Sequence, residues 1–156
     1  MLRADQVLIA YERWKNRESS LITHEDGQLF VWDSCAEDAG LVVQLCGRDP
    51  SVLAAATTAV LDLFERHHHN SVQGIDLNLG CPQVCAERGG FGAFLAQNDP
   101  DLAVQCVQAM RSALDQYVKD ASTSLPPPRL SCKIRLLEDD EATLYFCRAL
   151  QGAGCR

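Results

Sequence analysis

From residue 41 onward the apolar positions fall into a repeating rhythm, in which a short run that alternates by twos is followed by a longer run at helical spacing. Leu41 to Cys46 reads as a strand. Asp49-Pro50 then supplies a helix cap and first helical residue, and Val52, Ala56, Val60 and Phe64 form one helical stripe. The second unit opens with a strand from Gly74 to Gly80, crosses a glycine-punctuated loop, and restarts at Asp99-Pro100. Ala103, Cys106, Val107, Met110, Leu114, Tyr117 and Val118 follow at helical spacing. A Leu125-Pro126-Pro127-Pro128 linker leads to a third strand, Leu130 to Leu136. The acidic run Glu138 to Glu141 suits a helix N-terminus, and Ala142, Tyr145, Phe146, Ala149 and Leu150 share a face behind it. The first forty residues are less regular, with a short helix over Asp5 to Trp14 and a strand over Gln28 to Trp32 after the Asp26-Gly27 turn.

Strands separated by helices pair in parallel, and parallel sheets are normally covered on both faces. The strand Ile75-Asp76-Leu77-Asn78-Leu79 nevertheless carries polar residues on one face. The neighbouring strands match it: Gln44 shares a face with Val42 and Cys46, and Ser131 with Lys133 and Arg135. Polar groups on three strands therefore converge inside the protein, beside a cysteine, Cys81, at a strand end. Polar residues at the carboxyl ends of three β/α units suit part of a (β/α)8 TIM barrel, so the fold class expected is α/β, a partial barrel. A doubly wound sheet, which also binds beyond its strand ends, is the alternative. Gly152 and Gly154 read as a helix stop leading toward a further strand. The expected organisation is an ill-defined segment over residues 1–40 and the central part of a truncated barrel over 41–156.

Composition narrows the function classes. A chain of 156 residues, 47% apolar, can bury a core of its own. The net charge of −7 argues against a free-standing nucleic-acid-binding surface, though not against a local basic groove. Eight irregularly spaced cysteines, several at apolar positions, read as reduced thiols rather than a disulfide framework. With neither a signal peptide nor a membrane-length apolar run, a cytoplasmic location is expected. Cys81 and Cys85 with His67-His68-His69 lack the paired spacing of a structural zinc site, so no metal is expected.

The run Gly74-Ile75-Asp76-Leu77-Asn78-Leu79-Gly80-Cys81-Pro82, with Gly89-Gly90-Phe91-Gly92-Ala93 and Leu95, the earlier Val43-Gln44-Leu45 and the later Cys132-Lys133-Ile134-Arg135, resembles the tRNA-dihydrouridine synthase family in order and spacing. The similarity runs from about Leu41 to Cys155 and looks nearest to the eukaryotic enzymes acting near position twenty of tRNA. The resemblance implies an FMN-binding barrel that reduces the C5–C6 double bond of tRNA uridines, with NADPH or NADH as reductant. Cys81 matches the catalytic cysteine, the general acid that protonates C5 while hydride reaches C6. A positioned acid of this kind contributes about 10²–10⁴-fold. The loop glycines let the backbone close over a flipped base, which a stacked uracil requires.

Lys133 matches the lysine at the flavin's pyrimidine edge, where a fixed cation favours the reduced ring. Gln44 matches the flavin-contacting glutamine, Asn78 a residue between flavin and substrate, and Arg135 a ring or phosphate contact. Plainer roles stay open: Lys133 pairing with Asp76, or Gln44 and Asn78 satisfying backbone groups. The opening strand with its proline-methionine signature is not recognisable, and the later strands with the flavin-holding histidine and phosphate loops are absent. The chain is therefore expected to be a fragment, inactive alone and a poor FMN binder; a stoichiometric yellow product on purification would refute this. Two other functions are to be separated from it. A dihydroorotate dehydrogenase-like flavin enzyme would leave tRNA dihydrouridine unchanged in a strain lacking the gene, and a non-catalytic interaction fragment would tolerate Cys81→Ala.

Overall fold

The computed structural model describes residues 1–16, 40–67, 72–121 and 128–156. Within them lie four strands, β1 (Leu2–Arg3), β2 (Val42–Cys46), β3 (Gly74–Leu79) and β4 (Arg129–Ile134), all parallel and ordered β1-β2-β3-β4. The order settles the architecture. A doubly wound sheet reverses direction at a switch point, whereas this one adds each strand beside its predecessor, as a barrel wall does. The described part of the chain is an arc of a (β/α)8 barrel. It holds four β/α units rather than the three expected, because β1 is only two residues long and pairs Leu2 with Leu45 and Arg3 with Cys46.

Helices α1 (Ala4–Asn16), α2 (Pro50–His67), α5 (Pro100–Ala121) and α6 (Asp140–Gly152) follow the strands in turn. Val43, Leu45, Ile75, Leu77, Leu79 and Leu130 form one core with Leu53, Ala56 and Val60 of α2 and Ala103, Val107, Met110 and Leu114 of α5. The alternation within each strand thus sends its aliphatic residues toward the helices. The starts of α2, α5 and α6 are each built from a side-chain oxygen that occupies otherwise orphaned N–H groups of the first turn. Asp49 Oδ1 accepts from Ser51 N and Val52 N, Asp99 Oδ1 from Leu102 N, and Asp139 Oδ1 from Ala142 N.

The structure departs from the sequence reading in three places. β4 ends at Ile134, so Arg135 and Leu136 lie beyond the strand, and both are exposed. The buried stripe of α6 is Thr143, Phe146 and Leu150, while Tyr145 is 76% exposed. The glycine loop contains two short helices, α3 (Val84–Gly89) and α4 (Ala93–Asn98). The expected strand at Gln28 to Trp32 and the Pro-rich linker, apart from Pro128, lie outside the described residues.

Candidate active site

The candidate site occupies the carboxyl end of β2, β3 and β4, on the face away from the helices. Parallel pairing fixes its first row: Gln44 sits opposite Asp76, and Asp76 opposite Ser131. The side chains bond along that row. Gln44 Nε2 donates to Asp76 Oδ2 at 2.7 Å and Ser131 Oγ donates to Asp76 Oδ1 at 2.7 Å. Asp76 is therefore held by its two neighbours, one on each oxygen, rather than by Lys133.

One step nearer the strand ends, Asn78 is 1% exposed and opposite Lys133. Its amide is engaged in orienting the chain. Nδ2 donates to Gln44 Oε1 at 2.9 Å, and Oδ1 accepts from Gly80 N at 3.1 Å and Cys81 N at 2.9 Å. Of the plainer roles left open by the sequence, satisfying backbone groups is what Asn78 does here. Gln44, Asn78 and Cys81 are thus joined by hydrogen bonds.

Lys133 is exposed, and its stem reaches the same end of the sheet. A Cβ at Gly80 would lie 3.1 Å from the Ile134 carbonyl carbon and 3.3 Å from Lys133 Cε. The missing side chain lets the β3 exit pass close over the end of β4, bringing the lysine beside the cysteine turn. Arg135 is not gathered in by these contacts.

Cys81 is 8% exposed and packs with Cys46, Ala86 and Phe91, with Phe94 at the edge. This small cluster is separate from the main core and is assembled by the two short helices. Gly90 N and Phe91 N donate to Glu87 O and Ala86 O to close α3, and Ala93 N donates to the Cys81 carbonyl at 3.0 Å. At Gly92, φ is 65° and ψ −133°, and a Cβ there would fall 2.7 Å from Cys81 O. Burial pushes the Cys46 thiol up to about 11, partly offset by the positive Arg3 nearby, with the neighbouring Cys81 adding to the rise.

An isoalloxazine edge alternates acceptors and a donor, and the group set here suits one: an ammonium with three donors at Lys133, and one Gln44 Nε2 hydrogen beyond that given to Asp76. The residues fit that edge of the cofactor. Among the described residues no group of three or more His, Cys, Asp or Glu side chains could hold a metal ion, and the side chains of His67-His68-His69 lie outside them. The seven described cysteines are all free thiols.

Sequence reasoning named Asp76 and Ser131 as polar-face residues without seeing that the carboxylate is the hub of the row. The signal was the shared parity of Gln44, Asp76 and Ser131; only the register turns it into contacts.

The family model described as Dihydrouridine synthase (Dus) matches residues 17–156. A Rattus norvegicus protein named tRNA-dihydrouridine(16/17) synthase, NAD(P)(+)-like, is 36% identical over 124 residues, 80% of this chain and 24% of its own length. The Saccharomyces cerevisiae tRNA-dihydrouridine(16/17) synthase is 32% identical over 124 residues, again 80% of this chain and 24% of that protein. A Homo sapiens protein named for positions 20a/20b is 30% identical over 117 residues, 75% of this chain and 31% of its own. The chain therefore spans about a quarter to a third of the length of these curated relatives. The identities do not favour the position-twenty enzymes, which the sequence reading placed nearest, over those named for 16/17. No helix among the described residues is long and apolar enough to cross a membrane.

Proposed function

The chain belongs to the dihydrouridine synthase family, and on that premise we propose that it carries the proton-donating and flavin-facing part of a cytoplasmic enzyme that reduces uridine to dihydrouridine in tRNA. The observation that carries the reading is the pinning of the Cys81 turn by Asn78 Oδ1, at the sheet end that also holds Gln44 and Lys133. NADPH or NADH is the proposed source of electrons, as the names of the relatives suggest for those proteins.

FMN, when bound, supplies the hydride for C6 of the uracil. Lys133 and the remaining Gln44 amide hydrogen would hold its pyrimidine edge. Cys81 holds a proton at Sγ and delivers it to C5, where charge develops as C6 becomes saturated; the thiolate left behind recovers its proton from solvent. Ala86, Phe91 and Phe94 pack around the cysteine and limit, without sealing, the access of water to that proton. Asn78 would line the site between cofactor and base while fixing the turn that carries the thiol. Arg135, exposed past the end of β4, is proposed to meet substrate at the rim.

The test is the dihydrouridine content of tRNA from cells whose encoding gene carries Cys81→Ala. Loss of dihydrouridine at one or more tRNA positions is expected, with transcript and protein levels unchanged. An unaltered map at every position would overturn the reading.

A further inference from the structure

We infer that Asp76 is a positioning residue which sets the polarity of a hydrogen-bonded chain of side chains ending at the Cys81 backbone. The argument runs backward from the cysteine. The amides of Gly80 and Cys81 can only donate, so the atom of Asn78 facing them has to be its oxygen. With Oδ1 committed there, Nδ2 points back at Gln44 and requires an acceptor, which Gln44 Oε1 provides at 2.9 Å. Gln44 must then present Nε2 on its other side, and only an acceptor can satisfy it. Asp76 Oδ2 stands there at 2.7 Å.

The chain of donors and acceptors thus has one consistent direction, and the carboxylate terminates it. The two backbone N–H groups hold Asn78 from one end, whereas Gln44 is a neutral amide that can be turned over by 180°, exchanging donor for acceptor at little steric cost. A carboxylate offers acceptors on both oxygens and so fixes the orientation of Gln44, which then gives Asn78 Nδ2 the acceptor it requires. Ser131 donates to Asp76 Oδ1 at 2.7 Å and so holds the second carboxylate oxygen. Gln44 and Asn78 therefore reach the cysteine turn in the one orientation that holds it. The significance for proton delivery rests on the proposed role of Cys81, but the positioning itself does not.

The test reads amide hydrogen exchange at Gly80 and Cys81, together with the rate of Cys81 alkylation by iodoacetamide, in the full chain without flavin or tRNA. Asp76→Ala removes the terminal acceptor and should raise both readouts by about tenfold or more, as expected for losing a hydrogen bond to a charged group. Asp76→Asn should stay within about threefold of the unaltered chain, because the Ser131 hydroxyl can turn from donor to acceptor and leave the oxygen of the introduced amide for Gln44. Gln44→Glu keeps an oxygen toward Asn78 but sets two carboxylates face to face. Above the pH at which such a pair shares a proton, their repulsion should push the new side chain out of the row and raise both readouts as Asp76→Ala does. Combining Gln44→Glu with Asp76→Asn reverses the link while leaving an oxygen toward Asn78, so protection at Gly80 and Cys81 should return.

Unchanged protection in Asp76→Ala overturns the inference. So does a double variant no better protected at these two amides than Gln44→Glu, whether or not α5 keeps its protection. A chain with no part in tRNA reduction would leave these results standing, and a failed polarity test would leave the Cys81→Ala experiment on tRNA untouched.

Discussion

Gly92 meets two independent constraints that no other residue type satisfies. Its φ of 65° with ψ of −133° is a backbone conformation that side chains oppose, and a Cβ would lie 2.7 Å from Cys81 O and 3.1 Å from Cys81 Cβ. The carbonyl it would strike is the one that accepts from Ala93 N, so the displacement reaches both α4 and the cysteine. Gly92→Ala should destabilise the chain by about 1–3 kcal/mol from backbone strain alone and alter the alkylation rate of Cys81. Gly152→Ala is the contrast, since nothing lies within 4 Å of its missing side chain and it ends α6. That change should be neutral or stabilise by up to about 1 kcal/mol. Urea midpoints of the two variants check both, and a Gly92→Ala midpoint equal to that of the unaltered chain would refute the steric argument. The sequence reading took the loop glycines as letting the backbone close over a flipped base. Spacing reveals that small residues are needed but not which backbone they approach, and here the approach is to the cysteine itself.

The helix starts were the most legible elements, because Asp49-Pro50 and Asp99-Pro100 encode cap and first turn within two residues. At α6 the acidic run marked the right place, yet only Asp139 is the cap. Asp139→Ala should cost about 1 kcal/mol, the usual loss when a capping oxygen is removed from an N–H such as that of Ala142. Asp140→Ala, one residue into the helix, should cost less; equal urea midpoints for the two variants would mean that the cap contributes nothing beyond charge. Three elements escaped the sequence for reasons of length. β1 has two residues, too few for a period of two to appear, and α3 and α4 have six each, less than two helical turns. The stripe on α6 was misjudged at Tyr145 because alternative faces of a short helix share apolar residues, and Thr143, buried here, reads as polar. The polar row was legible as parity on three strands. Its bonding was not, because parity leaves register undetermined, and the pairing of Gln44 with Asp76 and Asp76 with Ser131 is a property of the assembled sheet.

At the scale of the whole molecule, the thiols of Cys46 and Cys106 are among those that couple packing to pH. Cys46 belongs to the cluster under the cysteine turn, while Cys106 on α5 sits in the main core and contacts the Arg48 carbonyl at 3.5 Å. Desolvation raises both from an ordinary 9.0, to about 11 for Cys46 and about 12 for Cys106, with nearby Asp49 adding to the second. As pH rises past 9 the unfolded chain gives up these two protons while the folded chain retains them. The unfolded state then binds fewer protons than the native state, so stability falls with rising pH, and it keeps falling until the folded thiols themselves ionise near 11 and 12. Each thiol contributes a slope of about 1.4 kcal/mol per pH unit in that window. Against a typical total of ~5–15 kcal/mol, two such slopes are large. The net charge of −7 also grows more negative at high pH and adds general repulsion, so the absolute fall does not isolate the thiols. A Cys46→Ala/Cys106→Ala double variant does, because it keeps the charge background and removes the two buried protons. Urea unfolding at about pH 8 and about pH 10.5, on either side of the unfolded thiol range, should show a steep loss in the unaltered chain and a markedly flatter one in the double variant, whatever the offset between them at the lower pH. Parallel losses would mean that both thiols ionise as readily folded as unfolded, which is incompatible with a tightly packed interior under the β2 and β3 strand ends.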